Sequence, residues 1–330
     1  MEIPQATRKP ADYPTRKQGF SVFTVDVEDW FHILDVASTP PMERWASLPS
    51  RVEANFYRLL DLFDEKRART TCFFLGWIAD HFPHLVKETA RRGHEVACHG
   101  YAHQLVNTIS RRGFRDDVGR AKKLLEDLTG STVLGYRAPG FSLTRHIPWF
   151  FDELIAAGYA YDSSVFPAAR GHGGDTTFPR LPTIWGRDSC RLIEFPVTVT
   201  ELAGWPVCLF GGGYLRLFPY ALIRSQARKL LKAGQPVVYY IHPREIDPVH
   251  PRLPMNPYRR FKSYYNLKSA YGKVVRILDE FRVSTFRDVL AGVKVLPWDT
   301  TLWNQTSAQA EEARFSFQIR GWIRGKGSHH

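Results

Sequence analysis

The sequence contains no run of roughly eighteen apolar residues, so it offers no candidate for a membrane-spanning helix. Cysteine is scarce. Cys72, Cys98, Cys190 and Cys208 are all there are in 330 residues, and none stands in a C-x-x-C pair. That scarcity excludes a disulfide-stapled scaffold and points to a reducing compartment. Internal repeats and low-complexity tracts are missing too. Residues 1–18 are polar and contain proline, without the apolar core of a secretory signal. They read as a flexible lead-in to a cytoplasmic protein, with attachment to a membrane surface left open. No recognised nucleic-acid motif accompanies the net charge of +12. The basic cluster Arg111, Arg112, Arg115, Arg120, Lys122 and Lys123 is interrupted by Asp116 and Asp117 on one expected helix. It is read as a solvated face, and no nucleic-acid partner is expected.

What the sequence does have is apolar material, with 44% hydrophobic and 14% aromatic residues. Apolar runs of strand type recur at FSVFTVDV, TTCFFL, EVAC, STVLGYR, Ile193–Val199 and PVVYYI. Between them lie stripes at helical spacing. The first is Val52, Phe56, Leu59, Leu60 and Phe63, and the next follows Pro83 and stops at Gly93. Another is Val118, Ala121, Leu124, Leu125 and Leu128, closed by Gly130, and a further helix is expected from Ile147 to Ala157. Stripes beginning at Leu222 and Ala270 follow. Alternation of this kind predicts an α/β fold around a mostly parallel sheet, open or closed into a barrel. Two insertions break it, about 165–215 and about 243–268, and irregular segments tend to carry function.

Polar groups gather where the apolar strands end, which is where parallel α/β folds build their sites. Asp26, Glu28 and Asp29 close the first run. Strand alternation puts Asp26 and Glu28 on one side, and Asp29 joins them if the chain turns, or else caps a helix. His99 and His103 follow EVAC, and one helical turn would aim both at one point. Two imidazoles and a carboxylate are a donor set for a catalytic divalent metal. Arg137 ends a strand before a Pro139-Gly140 turn and can hold a carboxylate bidentately. His242 ends the most apolar strand and can serve as a general acid or base. Asp162 ends another short run and could pair with it, or with the serines that follow it.

In this order the motifs resemble the polysaccharide deacetylases with NodB homology, the fourth carbohydrate esterase family. The likeness is carried by Asp26-Val27-Glu28-Asp29, His99-Gly100-Tyr101-Ala102-His103, Arg137-Ala138-Pro139-Gly140-Phe141 and Ile241-His242, with a weak counterpart at Asp162. It implies a distorted (β/α) barrel with loop insertions over 19–295, including a C-terminal extension from about 245. Residues 296–330 would form a tail whose closing GKGSHH looks like an expression tag, so His329 and His330 are excluded from the site. By position Asp26 would be the catalytic base and His242 the acid, with Arg137 orienting Asp26. His99 and His103 would hold a divalent metal, zinc before cobalt or nickel. Glu28 or Asp29 supplies the third ligand, because the family's paired Asp-Asp is replaced here, and alternation favours Glu28. Gly100 stands where the family has Ser or Thr.

The resemblance implies removal of N-acetyl groups from amino sugars of a bacterial surface or exopolysaccharide. Hydrolysis of a small cyclic amide or ureide, and silent glycan binding, are the alternatives. Trp30, Tyr101, Phe141, Trp149, Phe166 and Tyr214 are candidate platforms for sugar rings, and Pro139 and Gly140 would line the same groove. An acetylated amino-sugar polymer or oligosaccharide is the expected partner.

Overall fold

The computed structural model describes residues 19–187, 190–293 and 295–297. The lead-in over 1–18 and the tail beyond 297, with its tag-like end, lie outside the described residues.

The chain opens with β1 (Ser21–Val27), α1 (Val52–Glu65), β2 (Thr71–Phe74), α2 (Gly76–His81), α3 (Pro83–Arg91) and β3 (Glu95–Cys98). It continues through α4 (Arg111–Thr129), β4 (Gly135–Tyr136), α5 (Phe150–Ala156), β5 (Tyr161–Asp162), β6 (Thr183–Arg187) and β7 (Cys190–Glu194). Next come β8 (Thr200–Leu202), β9 (Trp205–Val207), α6 (Gly212–Leu217), α7 (Tyr220–Lys232) and β10 (Val237–Ile241). The last elements are α8 (Pro257–Tyr264), α9 (Ala270–Glu280), β11 (Val283–Ser284), α10 (Phe286–Leu290) and β12 (Leu296–Pro297).

In the main sheet β10, β1, β2, β3, β4 and β5 lie side by side in parallel, followed by β7, β6 and β12. Only the β6–β7 pair is antiparallel, and β11 adds to the start of β1. The sheet curls into a half-barrel of (β/α) units, and its ladder stays open between β10 and β12 among the described residues. β1 is buried at all seven of its positions, as a strand covered on both faces must be, which explains its near-continuous apolar run. Phe56, Leu59, Leu60 and Phe63 of α1 are buried in the same apolar cluster as Phe23 and Val25 of β1. Helix α4 is closed at both ends by local chemistry. Ser110 accepts a hydrogen bond from the Gly113 N–H, and Gly130 takes φ +64°, the left-handed stop that glycine allows cheaply.

Three expected elements differ. Of STVLGYR only Gly135 and Tyr136 are strand. The run Ile193–Val199 is not one strand. β7 ends at Glu194, before Pro196, which has no N–H for a ladder. The tail does not begin as a tail, because Leu296 and Pro297 pair with β6. The insertion from about 165 contains two hairpins, β6–β7 and β8–β9, and the insertion from about 243 contains α8. Among the described residues no helix is long and apolar enough to cross a membrane.

Candidate metal centre and catalytic cleft

The carboxyl ends of β1, β3, β4 and β10 place Asp26, His99, Arg137 and His242 at one edge of the sheet. Arg137 is fully buried, so its charge must be matched inside the protein. Its Nη1 donates to Asp26 Oδ1 at 2.7 Å and to Thr24 Oγ1 at 2.8 Å. Nε and Nη2 donate to the Ser163 carbonyl and hydroxyl at 3.2 and 3.1 Å. The guanidinium also lies 4.1 Å from the centre of the Phe73 ring. Asp26 is thereby held in one orientation by a planar, fixed guanidinium.

Glu28 lies past the end of β1, where its N–H turns back to the Asp26 carbonyl. Its Oε1 is 3.2 Å from His99 Nε2 and 2.9 Å from His103 Nε2, and the three donor atoms lie within 4.8 Å of one another. Burial pushes the Glu28 carboxyl up, but His103 and His242 outweigh it and hold Glu28 well below the usual carboxylate range. Burial pushes His103 below the usual imidazole range. His99 Nδ1 lies 2.7 Å from the Arg137 carbonyl, which turns Nε2 toward the Glu28 carboxylate. One carboxylate, two imidazoles and a carbonyl orienting one ring from behind fit a divalent metal.

The two histidines do not converge through a helical turn. They sit in a loop with φ of +74° at Gly100 and +52° at His103. Asp117 of α4 accepts the N–H groups of Tyr101 at 2.8 Å and Ala102 at 3.1 Å. The first N–H groups of α2, at Gly76 and Trp77, donate to the carbonyls of Gly100 and Tyr101.

Asp29 is not with the other acids. Its carboxylate accepts from Ser50 Oγ at 2.5 Å and from the N–H groups of Trp30, Arg51 and Val52. It caps the start of α1, where orphan N–H groups need an acceptor. Asp162 does not reach His242 either. Buried in β5, it accepts from Ser164 Oγ at 2.6 Å and lies opposite Glu194 of β7. Burial raises Asp162 to about 6, and burial together with the neighbouring Asp162 drives Glu194 well above the carboxylate range.

The partner of His242 is Glu245, which lies three residues further on, in a single turn of 3-10 helix. His242 Nδ1 is 3.2 Å from Glu245 Oε2, and His242 Nε2 lies 3.9 Å from Asp26 Oδ2 and 3.7 Å from Glu28 Oε1. Arg216 of α6 donates to Glu245 Oε1 at 3.0 Å. Burial pushes Glu245 up, but His242 and Arg216 bring it to about 2. Burial lowers His242, and Glu28 and Glu245 outweigh it, so the imidazole titrates above its ordinary value. Arg216 is anchored in turn by the Lys262 carbonyl at 2.9 Å and by the Tyr265 carbonyl. The H-P-R-E spacing could have revealed Glu245, since an acid three residues past an N-cap is a capping-box pattern. Nothing local marked Arg216.

Asp26, Glu28, His103 and His242 open onto a cavity of about 410 Å³. Of the candidate sugar platforms, Gly140, Phe141, Phe166 and Tyr214 line it. Trp30, Tyr101, Pro139 and Trp149 do not. Trp30 is buried and donates to the Pro49 carbonyl, and Tyr101 donates to Asp80 while packing under Arg120. Pro139 is buried in the turn that it starts, and Trp149 packs on Phe114. His32, which sequence reasoning missed, lines the cavity with Nδ1 accepting the Asp29 N–H at 3.0 Å.

Comparison with known proteins matches residues 47–159 to the polysaccharide deacetylase family. That stretch is what this chain shares with the family. Residues 163–291 match a second family, a domain of unknown function (DUF3473). The chain is 30% identical over 113 residues to a peptidoglycan deacetylase of Helicobacter pylori, a match spanning 34% of this chain and 38% of that protein. A peptidoglycan-N-acetylglucosamine deacetylase of Bacillus cereus is 26% identical over 180 residues, 54% of this chain and 76% of that one. Among solved structures, a Mycobacterium smegmatis protein assigned to the polysaccharide deacetylases superposes with TM-score 0.57 at 22% identity, covering 88% of this chain and 96% of the other. An allantoinase superposes with TM-score 0.55 at 16% identity, covering 82% and 89%. At those identities the two structures speak for the fold alone. The deacetylase match contains His99, His103 and Arg137, whereas His242, Glu245 and Arg216 fall in the second region.

Proposed function

We propose that this protein hydrolyses the acetamide of N-acetylated amino sugars in a bacterial glycan, with Glu28, His99 and His103 holding a divalent cation, zinc in the first place. The reading is carried by one observation: the three-donor cluster is flanked by Asp26, fixed by Arg137, and by His242, fixed by Glu245. The names of the Helicobacter and Bacillus relatives support a glycan over a small ureide.

A cation bound there would supply Lewis acidity toward the amide carbonyl and acidify water beside it. Asp26, with Oδ1 tied to Arg137, takes the proton of the attacking water through Oδ2. Glu245 accepts the Nδ1–H of His242, so Nε2 presents the other imidazolium proton to the departing amine, a poor leaving group unless protonated. One amide and one water give acetate and a free amine. Buried Arg137 keeps Asp26 aimed throughout and excludes solvent from behind it.

The test is acetate release from chitotetraose with and without a chelator, with zinc added back, alongside metal content. Asp26→Asn should lose turnover and keep metal, and His99→Ala should lose both. His242→Ala should keep metal and fall by about 10²–10⁴-fold in rate. If the chelated protein or all three variants keep the wild-type rate, the reading is wrong.

A further inference from the structure

Basic side chains crowd the mouth of the cleft without acids to match them. The acids that face the cavity are all engaged: Asp26 by Arg137, Glu28 by the histidines, Asp35 by His172 and Glu245 by Arg216. Arg170, Arg244, Arg259 and Lys262 line the same cavity, and among the described residues none of them forms a salt bridge. Arg244 Nε and Arg259 Nε are buried and lack a hydrogen-bond acceptor. A buried N–H left unpaired is costly, and an arriving ligand oxygen would relieve it. Arg170 lies over the faces of Phe141 and Phe166, 5.3 and 5.0 Å from their ring centres, which fixes its charge in place.

The same rim exposes aromatic surface. Tyr258, Phe261 and Tyr265, on and just after α8, are 69%, 48% and 43% exposed, and all three line the cavity. Flat rings at the entrance of a polar cleft suit the apolar faces of pyranose rings. Guanidinium groups beside them suit a carboxylate or phosphate.

We propose that the glycan taken by this cleft is anionic, carrying a carboxylate or phosphate close to the N-acetylated sugar, with Arg170 and Arg259 as the residues that bind that charge and the α8 aromatics as the platform for its rings. This deepens the deacetylase reading and rests on it for the acetamide. The continuity of the basic rim with Asp26, Glu28 and His242 in one cavity favours a glycan over a lipid surface.

The experiment is titration calorimetry with the full chain. Its probes are neutral chitotetraose, a tetrasaccharide of alternating N-acetylglucosamine and glucuronate, and a terminally phosphorylated chitotetraose. Vesicles containing anionic phospholipid form the fourth arm. At least one charged glycan should bind about tenfold tighter than the neutral one, and rising salt should close the gap. Which charged probe gains separates carboxylate from phosphate. Arg170→Gln and Arg259→Gln remove the charge, keep a polar side chain and should each remove most of the gap. Arg180→Gln, at a surface pair with Glu201 away from the cavity, should leave it. Equal binding of neutral and charged glycans, a gap that survives both substitutions, or binding of vesicles in place of every glycan would overturn the proposal. Because binding is read without turnover, acetate release from these probes separates the two readings. Acetate without a gap sinks only the anionic site, and a gap without acetate sinks only the deacetylase.

Discussion

Glu245 holds His242 at two points: its Oε2 accepts the His242 backbone N–H at 3.1 Å and faces the ring Nδ1 at 3.2 Å. One carboxylate oxygen thus sets both where the imidazole starts and how it is turned. Glu245→Gln should retain metal and KM while kcat drops by about 10–100-fold, the cost usual for a group that orients a functional imidazole. The sign of the pH effect follows from the direction of the shift. An acid catalyst works in its protonated form, Glu245 raises the pKa of His242, and the rate falls as pH rises through that value. The variant's basic limb should therefore move to lower pH, which a kcat–pH profile reads directly.

The ligand choice left open by the D-V-E-D motif has a clean separation. Glu28→Gln should abolish metal binding with little change in fold. Asp29→Ala should keep metal and lose about 1–2 kcal/mol of stability, because it removes the cap of α1. Metal content and urea unfolding on the two variants check both halves.

Gly100 occupies a backbone position that a side chain would strain. Its φ is +74°, and a Cβ there would lie 2.8 Å from Asp117 Oδ2, the atom that holds the Tyr101 N–H. Gly100→Ser should destabilise the protein by about 1–2 kcal/mol and weaken metal affinity, since His99 and His103 sit at either end of this turn. Equilibrium dialysis and thermal melts measure the two effects.

Asp162 should matter to stability and not to chemistry. Its folded pKa is raised from 3.8 to about 6, so ionising it costs more in the folded state than in the unfolded. Stability contributed at this site is therefore lost as pH climbs from 3.8 to about 6, the reverse of a salt-bridged acid. Glu194→Gln keeps a donor beside Asp162 and should be at least as stable as the parent at pH about 8. Its kcat–pH profile should overlay the parent's. Melts across pH would contradict this if the variant lost stability on the alkaline side.

Much of the architecture was legible because parallel strands buried on both faces write themselves as short apolar runs, and α1, α3, α4, α7 and α9 as apolar stripes, those of α3, α4 and α7 closed by glycine. The convergence of Asp26, Glu28, His99, Arg137 and His242 followed from their place at strand ends. What was not legible depends on partners distant in sequence. The support of His242 came from Arg216 and the carbonyls of Lys262 and Tyr265, and no periodicity joins those positions. Asp29 and Glu28 look equivalent in a string, and only the arrival of α1's bare N–H groups tells them apart. Trp30 and Tyr101 were aromatic residues beside motifs, but their polar atoms point to Pro49 and Asp80 rather than to the cleft. The β6–β7 hairpin hid because one glycine–proline-rich stretch reads as loop.

The anchoring of Arg216 by the Lys262 and Tyr265 carbonyls reaches further than its own neighbourhood. Lys273 of α9 donates to the carbonyls of Leu215, Arg216 and Phe218, so the helix carrying Arg216 is clamped from a third direction. A chimera joined near residue 160 would consequently inherit Glu28, His99 and His103 from one parent and His242, Glu245 and Arg216 from the other. A truncation after His242 would retain Glu28, His99 and His103 yet leave the terminal imidazole unsteered.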